Sequence, residues 1–90
     1  MNEHNATEVV FRTGRTDAEA LAEQDYRAAF TALERAKHRL QIQAEVVAQL
    51  CELGAQYQHV ILAALRDQCI AAAAVFAARD AFMAASRRLP

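Results

Sequence analysis

From Thr16 onward, large apolar residues return at steps of three, four or seven. Tyr26, Phe30, Leu33, Leu40, Val47 and Cys51 fall on one line, and Ala22, Ala29, Ala36 and Ala44 fill it. That spacing marks one face of an α-helix. Thr16-Asp17-Ala18-Glu19 marks its start. Thr16 is placed to accept from the Glu19 N–H while Glu19 reaches back, the spacing of a capping box. Asp17, Glu19 and Glu23 put negative charge at the positive end of the helix dipole.

Gly54 is the only Gly or Pro between Arg15 and Pro90. It suits the position just past a helix end. Arg87 and Arg88 favour the negative end of a second helix, and Pro90 follows them. The pattern predicts helices over about 17–53 and 55–88, each ~50–55 Å long at 1.5 Å per residue. The simplest packing is a long antiparallel hairpin spanning 16–90. The rivals are one continuous helix through Gly54, which costs only ~1 kcal/mol for the glycine, and a further break into three helices. Residues 1–15 read as a flexible N-terminal arm with one short strand-like run, Glu8 to Arg12. The arm either stays loose or packs Val9, Val10 and Phe11 onto another surface.

The second helix is apolar on two sides. Ile61, Leu62, Leu65, Cys69, Phe76 and Met83 share one. Val60, Ala64, Ala71, Val75, Ala78 and Phe82 share another, about 130° away. One partner helix cannot cover both. On the first helix, Ile42, Val46 and Leu53 lie opposite the main stripe. The expectation is an all-α hairpin that dimerises into a four-helix bundle. Val60, Ala64, Ala71, Val75, Ala78 and Phe82, with Ile42 and Val46, are the expected oligomer or partner interface.

Composition sharpens this picture. The chain has 90 residues, 54% hydrophobic, with 2 Gly, 1 Pro, 2 Cys and no Trp. Roughly a quarter is alanine, well above ordinary usage and the best helix former. Such a chain is too apolar for disorder. It is also too short for a thick core of its own and too poor in Cys for a disulfide scaffold. A net charge of −1 argues against strong nonspecific nucleic-acid binding. No signal-peptide core stands at the start. The longest uncharged apolar run, Cys69 to Ala78, falls short of the ~20 residues of a membrane span. The expected setting is the cytoplasm, away from membranes.

Site chemistry is sparse. No CxxC, HExxH or Gly-rich phosphate loop occurs, so no metal or other cofactor is expected. A weak Cys51, His59 and Cys69 set is the only thiol or metal candidate. All-helical metal-responsive repressors place a His and a Cys one helical turn apart, a spacing that His59 and Cys69 lack. Ser86 is the only serine and has no nearby His, so the chain is read as not an enzyme. Tyr57, just past the turn, reads as a staple at the hairpin tip or as a partner anchor. Arg27, Arg35, Lys37, His38 and Arg39 form a modest basic patch on the first helix. No aromatic residue interleaves with it for base stacking.

In outline the chain resembles small secreted helical-hairpin proteins. Its turn reads Glu52-Leu53-Gly54 without their Trp, so the likeness is architectural and carries no function. The leading expectation is a noncatalytic protein–protein interaction module. It would be an adaptor, a chaperone-like subunit or a small inhibitor, of a size seen among phage- and secretion-associated proteins. Its partners would be a second copy and an unidentified protein. The alternative is a nucleic-acid-binding regulator that uses the basic patch. The third reading is the thiol or metal sensor.

Overall fold

The structure is a computed structural model that describes residues 16–90. The arm at 1–15, with Val9, Val10 and Phe11, lies outside the described residues. Helix α1 runs Asp17–Leu53, a 3-10 turn covers Ala55–Tyr57, and helix α2 runs Gln58–Arg87. The two helices pack antiparallel as a hairpin. The predicted second helix therefore begins as a tighter turn before settling into α geometry. The molecule measures 67 × 26 × 14 Å, a rod rather than a globule.

The start of α1 forms as its residues dictate. Thr16 has extended backbone, and its Oγ1 accepts from the Glu19 N–H at 3.1 Å. The stop is set by Gly54, with φ 108° and ψ 174°. That conformation is open almost solely to glycine, because a Cβ there meets local backbone and side-chain atoms. A Cβ at Gly54 would lie 2.9 Å from the Gln56 side-chain oxygen. The Tyr57 N–H then donates to the Gly54 carbonyl at 3.2 Å and closes the turn. At the far end the Arg88 N–H donates back to Ala85 and the Leu89 N–H to Ser86.

The hairpin seam follows alternating steps of three and four. On α1 it comprises Ala22, Tyr26, Ala29, Leu33, Ala36, Leu40, Gln43, Val47 and Leu50, all half-buried. On α2 it comprises Ile61, Ala64, Gln68, Ala71, Val75, Ala78, Phe82 and Ala85, all buried or half-buried. A mean step of 3.5 residues is the coiled-coil repeat, with large and small residues alternating along α2 and along α1 as far as Leu40. Only Ala64, Ala71 and Ala85 are fully buried. Alanine holds every second seam position along α2, and along α1 as far as Ala36, and small residues at a contact favour close approach of two helices. At the open end Phe82 packs on Tyr26 and Phe30, with ring centroids 5.1 and 5.9 Å apart. Tilted rings at that range are a favourable aromatic geometry.

Candidate functional site

The expected interface and the expected core change places on α2. Ala64 and Ala71 are buried within the single hairpin, and Val75, Ala78 and Phe82 are half-buried there. They face α1 and are not open to a partner. Only Val60 of that side stays exposed, as do Ile42 and Val46 on α1. The physical reason is closeness of approach. The side with alanines at every second layer lets α1 come nearest, and packing strength rises with the number of atoms in contact.

The opposite assignment follows for the other side. Leu62, Leu65, Cys69, Phe76 and Met83 are exposed, and Ile61 is drawn into the seam. Phe76 is 64% exposed and Leu62 58%. With Ala72 and Arg79 these residues fall at 62, 65, 69, 72, 76, 79 and 83, again at alternating steps of three and four. The stripe is thus a second coiled-coil-like seam, about 100° round α2 from the first. Neighbouring helices in a four-helix bundle lie at about that angle from one another. The signal was present in the spacing, but a helical wheel alone does not say which of two apolar sides is taken.

Charges punctuate α2, and one of them, Arg79, falls within the stripe. Arg66, Asp67, Arg79 and Asp80 are all exposed. By length and composition the segment Ala55–Arg87 is apolar enough to cross a membrane. The longest uncharged run had suggested otherwise. A longer window takes in Val60, Ile61, Leu62 and Leu65 beyond the Arg66-Asp67 pair, and these offset its two charges. Each such charge costs ~2.5–3.5 kcal/mol at the centre of a spanning helix.

The basic patch is partly neutralised along its own helix. Arg27 pairs with Glu23, and the Lys37 Nζ donates to the Glu34 carboxylate at 3.0 Å. Arg35, His38 and Arg39 line an open concavity on one helix, with Thr31, Glu34 and Ile42. One helix surface provides no walls, so the place has no enclosed shape for a small ligand. Arg39 also borders a shallow pocket across the seam from Asp67.

The thiol and nucleophile candidates stand apart. Cys51 and Cys69 are free and exposed. Cys51 ends α1 near the turn, while Cys69 lies about a third of the way along α2. His59 is exposed at the first turn of α2, and Ser86 stands at the opposite end of that helix. Among the described residues no group of three or more His, Cys, Asp or Glu is placed to hold a metal ion. At the tip, Leu53 and Tyr57 remain 53% and 40% exposed. Tyr57 is therefore not folded into a tip core.

No family model matches this chain, nor does any curated protein or solved structure.

Proposed function

We propose that this chain is a noncatalytic helical interaction module that works as a self-associated four-helix bundle. The observation that carries the reading is the exposed stripe Leu62, Leu65, Cys69, Phe76 and Met83. A monomer has no use for a heptad-spaced row of large apolar side chains in water. Contiguous apolar surface of this kind is a mark of interaction sites. Covering a large apolar side chain yields ~1.5–3 kcal/mol relative to leaving it exposed. Four such residues on one helix face, with Cys69 among them, supply a driving force that the alanine-rich hairpin interior lacks. Adaptor, chaperone-like and inhibitor roles all use helix faces in this way, since a helix docks by its spaced apolar anchors.

The test is sedimentation velocity on the full chain from submicromolar to high micromolar concentration. The expected species is a dimer. The double variant Leu62→Gln/Phe76→Gln is expected to weaken association at least about a hundredfold, because each lost anchor is counted twice across a two-fold interface. Its circular dichroism should remain that of the parent, as neither residue lies in the hairpin seam. A parent chain that stays monomeric at high micromolar concentration defeats the proposal. Co-flotation with lipid vesicles by such a monomer would assign the stripe to a membrane instead.

A further inference from the structure

We propose that α2 pairs antiparallel with the α2 of a second copy, about a two-fold axis beside Ala73, so that Arg66 of each chain lies opposite Asp80 of the other. This rests on the self-association proposed above and adds its face, direction and register.

The argument comes from the column of residues that borders the stripe on its solvent side. Counting by sevens, that column reads His59, Arg66, Ala73, Asp80 and Arg87. In an antiparallel homodimer such a flanking column meets its own copy read backwards. Centred on Ala73, it brings Arg66 level with Asp80 twice, once on each side of the axis. Arg66 and Asp80 are both exposed and make no ion pair within the hairpin among the described residues. Sliding the pair by one heptad in one direction sets Arg66 against Arg87. Sliding it the other way leaves Arg66 against Ala73. A parallel pair brings like residues level, Arg66 with Arg66 and Asp80 with Asp80. A slide of three heptads would set Asp80 against Arg87 twice, but it overlaps only the last turns of α2 and leaves Leu62 and Leu65 uncovered, so only the centred register joins two Arg–Asp contacts to a covered stripe. His59 then comes level with Arg87 at the two open ends, where solvent screens both.

The stripe agrees with that register. In antiparallel packing the stripe residues meet about two positions out of step with the flanking column, so Ala72 comes opposite Phe76 twice and the stripe's one ring meets a small neighbour near the axis. The same alignment sets Leu65 opposite Met83 farther out. Arg79, the one charge within the stripe, lies across Cys69 and extends its guanidinium past the edge, as long cationic side chains do at apolar contacts. Exposed ion pairs add little affinity, but they discriminate between registers, because the wrong ones place like charges together.

The experiment reverses each charge alone and both together in the full chain. Arg66→Asp and Asp80→Arg each turn two attractive contacts into two repulsive ones. Each is expected to raise the dimer dissociation constant about tenfold at low salt. The combination Arg66→Asp/Asp80→Arg restores opposite charges and is expected to return dimerisation to near the parent value. An equimolar mixture of the two single variants is expected to form mainly the mixed dimer, read by native mass spectrometry. Circular dichroism of every variant checks that the hairpin is retained. A dimeric parent with single variants that dimerise equally well, or a mixture with no preference for the mixed dimer, overturns the register and leaves self-association standing. A monomeric parent overturns both.

Discussion

Two sides of α2 have nearly the same periodicity and opposite fates. One carries Ala64, Ala71, Ala78 and Ala85, and it is packed against α1. The other carries Leu62, Cys69, Phe76 and Met83, and it faces solvent. Ala71 is 5% exposed while Phe76 is 64% exposed. Residue hydrophobicity would have ordered them the other way. Within a hairpin the partner helix is tethered by a short turn, so its packing is decided by fit, and small residues fit closest. The larger side chains are left for contacts that the hairpin cannot make alone. The inner seam accordingly determines whether the hairpin stands, and the outer stripe is proposed to determine what it meets.

Four substitutions break or sharpen that contrast, in descending order of effect on hairpin stability. Ala71→Leu forces a large side chain into the buried seam and should cost near the top of the ~1–3 kcal/mol seen for overpacking. Thermal unfolding followed by circular dichroism should show Tm lowered by ~4–8 °C per kcal/mol. An unchanged Tm would mean that the alanine side is not the packed one. Gly54→Ala should cost about 1–2 kcal/mol, because a φ of 108° disfavours any Cβ, while the Gln56 side chain can swing aside. Urea unfolding is the suitable measurement, with the midpoint falling at constant slope. Thr16→Ala removes the bond to the Glu19 N–H and should cost about 1 kcal/mol. Amide hydrogen exchange should show the loss concentrated in the first turn of α1. Phe76→Gln should change stability by no more than ~0.5 kcal/mol when measured below the dimer dissociation constant. A large loss in that dilute regime would place Phe76 in the hairpin interior and erase the contrast between the two sides.

Much of the architecture was legible in residue spacing. The helix start at Thr16, the stop at Gly54 and the long uninterrupted bodies between them rest on local chemistry, and local chemistry is written in adjacent residues. The stripe of α1 was legible also, through Tyr26, Leu33, Leu40 and Val47. Two of its expected members, Phe30 and Cys51, proved exposed. Each sits one position beyond the seam, a difference that a 100° wheel blurs and a 3.5-residue repeat resolves.

The basic patch shows the same limit in another form. Arg27 and Lys37 look like members of a cationic surface when only cations are counted. The pairings with Glu23 and Glu34, one turn away on the same helix, leave Arg35, His38 and Arg39 as the unneutralised part. Here the signal was in the sequence, since i to i+3 and i to i+4 pairs are read directly from spacing.

By itself, then, the order of residues determined that two long helices form, where they begin and end, and that α2 has more apolar surface than one neighbour can cover. These are properties of nearest neighbours along the chain and of a fixed helical repeat. Only the tertiary structure decided which side of α2 meets α1. That choice depends on how closely two helix surfaces approach, and the distance between them is set by both surfaces together. Alanines on each helix leave room for larger seam residues of the other, as Phe82 packs among Tyr26, Ala29 and Phe30, and this fit takes up the alanine side of α2, so Leu62, Leu65, Phe76 and Met83 remain outside.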